Sequence, residues 1–182
     1  MSALSRAVVL TCLSTLAVAQ MPDQLAAERA LGPHWRQISR ASGIIFVGTV
    51  LDVEAQPASH DRPVPAIQTR FRVERAIAGT HLKQVVTIRE WTAAGTLPRS
   101  VRSGQRTLYF FYPPSRLGLT SSVGGPLTQI AIDRYGNVIP PAVSAYARTA
   151  ISHPARAASA RPAVVSLDQL ERAIRSARMA KE

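Results

Sequence analysis

The chain is poor in sulfur, in lysine and in acid. Among its 182 residues there is one cysteine, Cys12. A single thiol closes no intramolecular disulfide and builds no cysteine-based zinc site. Of the 22 basic residues only Lys83 and Lys181 are lysines, and the acids number 11, leaving a formal charge of +11. Such an excess favours anionic partners: polyanionic glycans, lipid headgroups or nucleic acid. Yet no run of five or six cations marks a dedicated arm, so the charge reads first as a solvated, arginine-rich surface. His34, His60, His81 and His153 stand far apart in the chain, and no H-x-H or H-E-x-x-H occurs. A metal centre and a resident cofactor are therefore not expected.

What is present begins with an address. Arg6 supplies a positive start, Ala7–Leu16 a short apolar stretch, and Ala17-Val18-Ala19 a small-x-small cleavage signal. A secretory leader over residues 1–19 is expected, with Gln20 first in the mature chain. The stretch is too short, and too interrupted by Thr11, Ser14 and Thr15, to span a membrane. No transmembrane span is expected after its removal, and the compartment is periplasmic or extracellular. Cys12 leaves with the leader, so cysteine catalysis is excluded on this reading.

The mature chain divides into a helical segment over 20–42, a β domain over 43–139, a Pro- and Ala-rich connector over 140–165 and a closing helix over 166–180. Gly32-Pro33 splits the first segment into two helical pieces, and Trp35 and Ile38 share a face that can dock on a core. From Gly43 the period becomes strand-like. Gly43–Glu54 starts doubly apolar and then alternates. Ala66–Ile77 alternates throughout, with Ile67, Thr69, Phe71 and Val73 on one face and Gln68, Arg70, Arg72 and Glu74 on the other. Val85–Trp91 is a third strand, and the aromatic run Arg106–Tyr112 reads as a central one that Pro113-Pro114 ends. Leu127–Asp133 and Asn137–Ile139 flank a turn at Arg134-Tyr135-Gly136. Ser166 caps the last helix and Gln169 completes a capping box. Its Arg172, Arg175 and Arg178 face outward, where they could bind an anionic surface.

Two loops interrupt this scaffold. Gln56–Pro65 holds three prolines together with His60 and Asp61, and Ser115–Pro126 holds Arg116, Ser121, Ser122, Gly124 and Gly125. Loops on a rigid scaffold carry recognition, so these are the candidate contact residues. Chemistry is harder to find in them. Glu54, His60 and Asp61 are accounted for by a surface turn. Neither Ser121 nor Ser122 lies in G-x-S-x-G or S-x-x-K, and no lysine follows the glycines of the second loop as a phosphate cradle requires. Glu74 beside Arg75 and Glu90 beside Arg89 read as surface ion pairs rather than as the paired acids of a glycosidase. In Tyr109–Tyr112 consecutive residues alternate faces, so at most two could stack nucleic-acid bases. Core packing accounts for them, and export argues against nucleic acid.

The segments Gly43–Val53 (with V-G-T-V), Thr69–Gly79 (F-x-V-E-x-x-I-x-G), Val85–Trp91 and Gly104–Pro113 (G-x-R-x-L-x-F) resemble an exported bacterial family of unassigned activity. That family is similar to the netrin-like barrels of tissue inhibitors of metalloproteinases, built on an OB-fold. The resemblance covers about residues 40–139. It implies a mainly β fold, a small antiparallel, partly closed barrel of OB-like or netrin-like type with helices at both ends. Those inhibitors chelate the protease zinc through an N-terminal cysteine, which the chain lacks once its leader is gone, so their mechanism does not transfer to any residue. The expectation is an exported, non-enzymatic binding module for an extracellular or envelope protein or glycan. The alternatives are a hydrolase built on Ser121, Ser122 or an acid pair, and an electrostatic binder of the envelope surface.

Overall fold

The computed structural model describes residues 22–60, 63–91, 101–139 and 164–180. Ala17, Ala19 and Gln20 of the expected cleavage site lie outside the described residues, as do Asp61 and most of the connector. Among the described residues there are three helices: α1 over residues 22–31, α2 (Trp35–Ala41) and α3 (Leu167–Met179). The strands are β1 (Ile44–Gln56), β2 (Ala66–Ala78), β3 (Val85–Trp91), β4 (Arg106–Phe111), β5 (Ile130–Ile132), β6 (Asn137–Ile139) and β7 (Val165–Ser166). All seven join one antiparallel sheet in the order β3-β2-β1-β4-β5-β6-β7, with β3 and β7 as its edges. The protein is thus mainly β with helices flanking the sheet. Its named strands do not close into a ring.

Two apolar layers explain why β1 and β4 look as they do. Along β4, Leu108 and Phe110 point to the helices, while Tyr109 and Phe111 point to the opposite side. Residues Thr107–Phe111 are therefore all buried, and the unbroken apolar run is the signature of a strand covered on both faces. The first half of β1 behaves alike: Ile45 and Val47 meet the helix layer and Phe46 the other core. Beyond Val50 a register shift turns the strand out from under the helices, and alternation sets in.

The helix layer is a continuous core of Trp35 from α2, Leu167, Leu170 and Ile174 from α3, and the alanines of α1. On the far side Phe46, Phe71, Tyr109 and Phe111 form an aromatic quartet with ring centroids 4.7–6.2 Å apart. Each such pair contributes about 0.5–1.5 kcal/mol beyond area burial. Where β2 ends, Gly79 has φ +67°, and a Cβ there would collide with the Gly43 carbonyl, so the strand exit needs glycine.

Arginine fixes the helices to one another. The last carbonyls of any helix lack intrahelical donors. Arg40 of α2 reaches Ala177 O of α3 at 3.0 Å, and Arg178 of α3 reaches Ser39 O and Ser42 O at the end of α2, at 2.7 and 2.5 Å. Each helix caps the other. Ser166 and Gln169 form the expected capping box at the start of α3.

Three local expectations are corrected. Leu127 does not begin β5, because Gly125–Thr128 winds into a 3-10 turn that the Thr128 hydroxyl secures on the Val123 and Gly125 carbonyls. Val165 is not part of an irregular connector: it pairs with Val138 and is buried. The expected sequence-neighbour ion pairs do not form either. Glu74 instead accepts from Thr49 Oγ1 and Arg106 Nε, each at 2.5 Å, while Arg75 turns to Asp168 and Glu171 on α3. Burial pushes the Glu74 carboxyl up, but the Thr49 and Arg106 bonds outweigh it and hold it below the ordinary glutamate range.

Candidate functional site

One rim of the sheet gathers the groups that sequence reading singled out. The C-terminal end of β1 pairs with the start of β2 (Gln56 with Ala66), and Ala66 pairs with Trp91, the last residue of β3. The proline-bearing loop after Gln56 therefore leaves the sheet beside Trp91. One step along, Ile67 pairs with Glu90, and Glu90 makes an isolated parallel bridge to Thr120. A second isolated bridge joins Phe111 to Ser122. The loop after β4 thus runs between the edge strand β3 and β4, and the two candidate contact loops come out on the same rim.

Specific hydrogen bonds hold the second loop. Thr120 N–H donates to Arg89 O at 2.8 Å, Tyr112 N–H to Ser121 O at 3.0 Å, and Thr120 Oγ1 to Tyr112 O at 2.6 Å. Within the loop, Ser115 N–H donates to Leu119 O, and Gly118 N–H donates back to Ser115 O. Gly124 takes φ +77°, and a Cβ there would stand 2.8 Å from Thr128 Cγ2, so only glycine fits above the 3-10 turn.

A further tether is a half-buried carboxylate. Glu90 lies on the inward face of β3, two residues from the buried Ile88, and its Oε1 accepts both Ser122 N–H at 3.1 Å and Ser122 Oγ at 3.3 Å. Gln129 Nε2 donates to the same hydroxyl at 3.5 Å. Burial pushes the Glu90 carboxyl above the ordinary glutamate range, against the two Ser122 bonds that pull it down. Deeper in the same core sits the Tyr109 phenol. Burial raises it to about 12, and the Glu90 charge adds to the effect. Tyr109 Oη lies beside Thr107 Oγ1, but neither buried hydroxyl has a partner in hydrogen-bond geometry.

Above these tethers the rim presents rings and one cation. Trp91 is 62% exposed, Tyr112 43% and Leu117 65%. Side chains of that size at solvent mark contact surfaces when they gather on one edge. Arg116 is exposed beside Leu117, and the segment from Tyr112 to Pro126 carries no acid. Of the sequence candidates, His60, Arg116, Ser121 and Gly124 are exposed, while Ser122 and Gly125 are half-buried in the loop anchor. Trp91 and Tyr112 were not singled out as contact residues, since a terminal aromatic of a strand reads as core until the register is known. Their signal was position: each is the last ring before a loop.

Among the described residues no group of three His, Cys, Asp or Glu could hold a metal ion, and no helix is long and apolar enough to cross a membrane. Comparison of the chain with protein-family models, with curated proteins and with solved structures returns no match.

Proposed function

We propose that the protein is an exported, non-enzymatic binding module of OB-like or netrin-like build that engages an envelope or extracellular protein or glycan through this rim. The observation that carries the reading is the convergence of the two loops on one edge, with Trp91, Tyr112 and Leu117 exposed above a hydrogen-bonded base. Rigid loops bearing solvent-facing rings bind with little ordering cost. The bridges from Glu90 to Thr120 and from Phe111 to Ser122 support a barrel-like build, because they link β3 to β4 through the loop. The aromatic quartet would then be the barrel interior.

A rival reading has one observation in its favour. Ser122 Oγ lies 3.3 Å from Glu90 Oε1, the relation of a nucleophile to its base. The Ser122 backbone N–H donates to that same oxygen, however, which is how a carboxylate anchors a loop.

Both readings meet in one pair of assays. Purified protein is presented to a glycan array and to fractionated envelope proteins, alongside Trp91→Ala/Tyr112→Ala with its fold checked by circular dichroism. Selective binding that the double variant loses supports the module; binding that survives it contradicts the rim. Ester, peptide or glycoside turnover by the parent, lost in Ser122→Ala, would replace the reading with a hydrolase. Fractionation of the producing cells tests export.

A further inference from the structure

The C-terminal arginines that could bind an anionic surface are engaged by partners within the fold. Arg172 meets Asp23, Arg175 meets Glu171 and the Ala76 carbonyl, and Arg178 caps α2. The shallow depression among Arg75, Asp168, Glu171, Arg172 and Arg175 is likewise filled with mutually paired charges. Two exposed arginines without such partners among the described residues stand together on the outer face of β2.

That face is set by register. Phe71 and Val73 point into the aromatic core, so Arg70 and Arg72 point out, and both are exposed. Neither makes a hydrogen bond or an ion pair among the described residues. Arg72 acts on Glu74 through its charge and not through a hydrogen bond, and Thr49 and Arg106 already engage that carboxylate. Pairing puts Arg72 opposite Val85, Arg70 opposite Thr87 and Gln68 opposite Arg89, with Trp91 closing the next row. Arg70 and Arg72 stand two residues, or about 6.7 Å, apart on β2, the half-buried Arg89 follows in the next row one strand over on β3, and the fourth row carries an exposed indole. Val85 and Thr87 leave the rows open to solvent on the β3 side. Asp52 and Glu54 border them on β1, across from Arg70 and Gln68.

We infer that this arginine ladder binds an acidic polysaccharide, whose regularly repeated carboxylates or sulfates lie along β2 while a sugar ring stacks on Trp91. Successive rows that each carry a cation suit a polymer with one anion per repeat. A single ring on the face suits a sugar chain better than single-stranded nucleic acid, which is held by stacking successive bases. The inference shares Trp91 with the proposed rim and goes beyond it, since Tyr112, Leu117 and Arg116 take no part.

The test uses the full chain and fluorescent polygalacturonate at several salt concentrations. Arg70→Gln/Arg72→Gln is expected to weaken binding roughly tenfold and to make the log–log salt dependence shallower by about two. Asp52→Asn, which removes a bordering negative charge, is expected to strengthen binding about twofold to fivefold, and it reads out the ladder should the double variant fold poorly. Met179→Ala, exposed at the end of α3 and away from the sheet face, is expected to leave this affinity unchanged. Unaltered binding by the folded double variant, weaker binding by Asp52→Asn, or a loss that instead follows Arg172→Gln would overturn the ladder. A single-stranded oligonucleotide binding as tightly as polygalacturonate would overturn the polysaccharide as its partner.

Discussion

Replacing Glu90 tests the loop anchor in both its parts, acceptor and charge. Glu90→Ala removes the oxygen that receives Ser122 N–H and Oγ, leaving two donors in a mostly covered position. An unsatisfied buried donor costs about 1–3 kcal/mol, and for a chain of this size that lowers Tm by about 2–12 °C. Glu90→Gln keeps the acceptor oxygen and discards only the charge. The folded-state pKa of Glu90 is raised above the ordinary 4.5 by burial. Its contribution to stability is therefore fully present below about pH 4.5 and is lost as pH rises through the folded value, because the ionised form is the one that burial penalises. Glu74, Asp133 and Asp168 are shifted the other way, so their contributions are lost as pH falls, in a window below 4.5. Urea denaturation from pH 4.5 to 8 separates these windows. Between those limits the parent should lose stability relative to Glu90→Gln, and Glu90→Ala should be the weakest of the three throughout. A parent that gains on Glu90→Gln as pH rises, or an alanine variant as stable as the glutamine one, refutes the anchor as described.

Three further outcomes follow from the packing. Tyr109→Phe removes a buried hydroxyl that has no partner, so urea unfolding should find it unchanged or up to about 1 kcal/mol more stable; a loss above that size would mean the hydroxyl is paired. Arg178→Ala takes two charge-assisted bonds from the end of α2 and should cost about 1–2 kcal/mol, only partly recovered by Arg178→Lys, and an unchanged denaturation midpoint would remove the reciprocal cap from the account. Phe71→Ala opens the centre of the aromatic quartet and should cost about 3–5 kcal/mol, measured the same way; a cost under about 1 kcal/mol would show that this core is not close-packed.

Strand identity was legible where one physical signal dominated. The alternation in β2 reports one covered and one wet face, and the unbroken run in β4 reports two covered faces. The Ser166–Gln169 capping box is a local device that four residues specify completely. What the sequence concealed lies in contacts between distant residues. Glu90 and Ser122 are 32 positions apart, as are Glu74 and Arg106, and Arg178 is 139 from Ser39. Pairing Glu74 with Arg75, or Glu90 with Arg89, fails for a reason available in advance: consecutive residues of a strand point to opposite faces. β7 was hidden because two residues carry no periodicity. The candidate loops were legible from their prolines and glycines, but their meeting on one rim depends on the bend of β1 after Val50, which no local pattern announces. The arginines illustrate the same limit: composition counts them all alike, while the fold ties those of α3 into its own contacts and leaves Arg70 and Arg72 free.

The most direct test of the rim is a photo-crosslinking amino acid placed singly at Tyr112, Leu117, Leu25 and Met179 in cells that produce the protein. All four positions are exposed, the first two on the rim and the last two on the helices. The account predicts discrete adducts from Tyr112 and Leu117 and none from Leu25 or Met179. Adducts confined to the helix positions, or no adduct at the rim under conditions where the protein is folded, would contradict it.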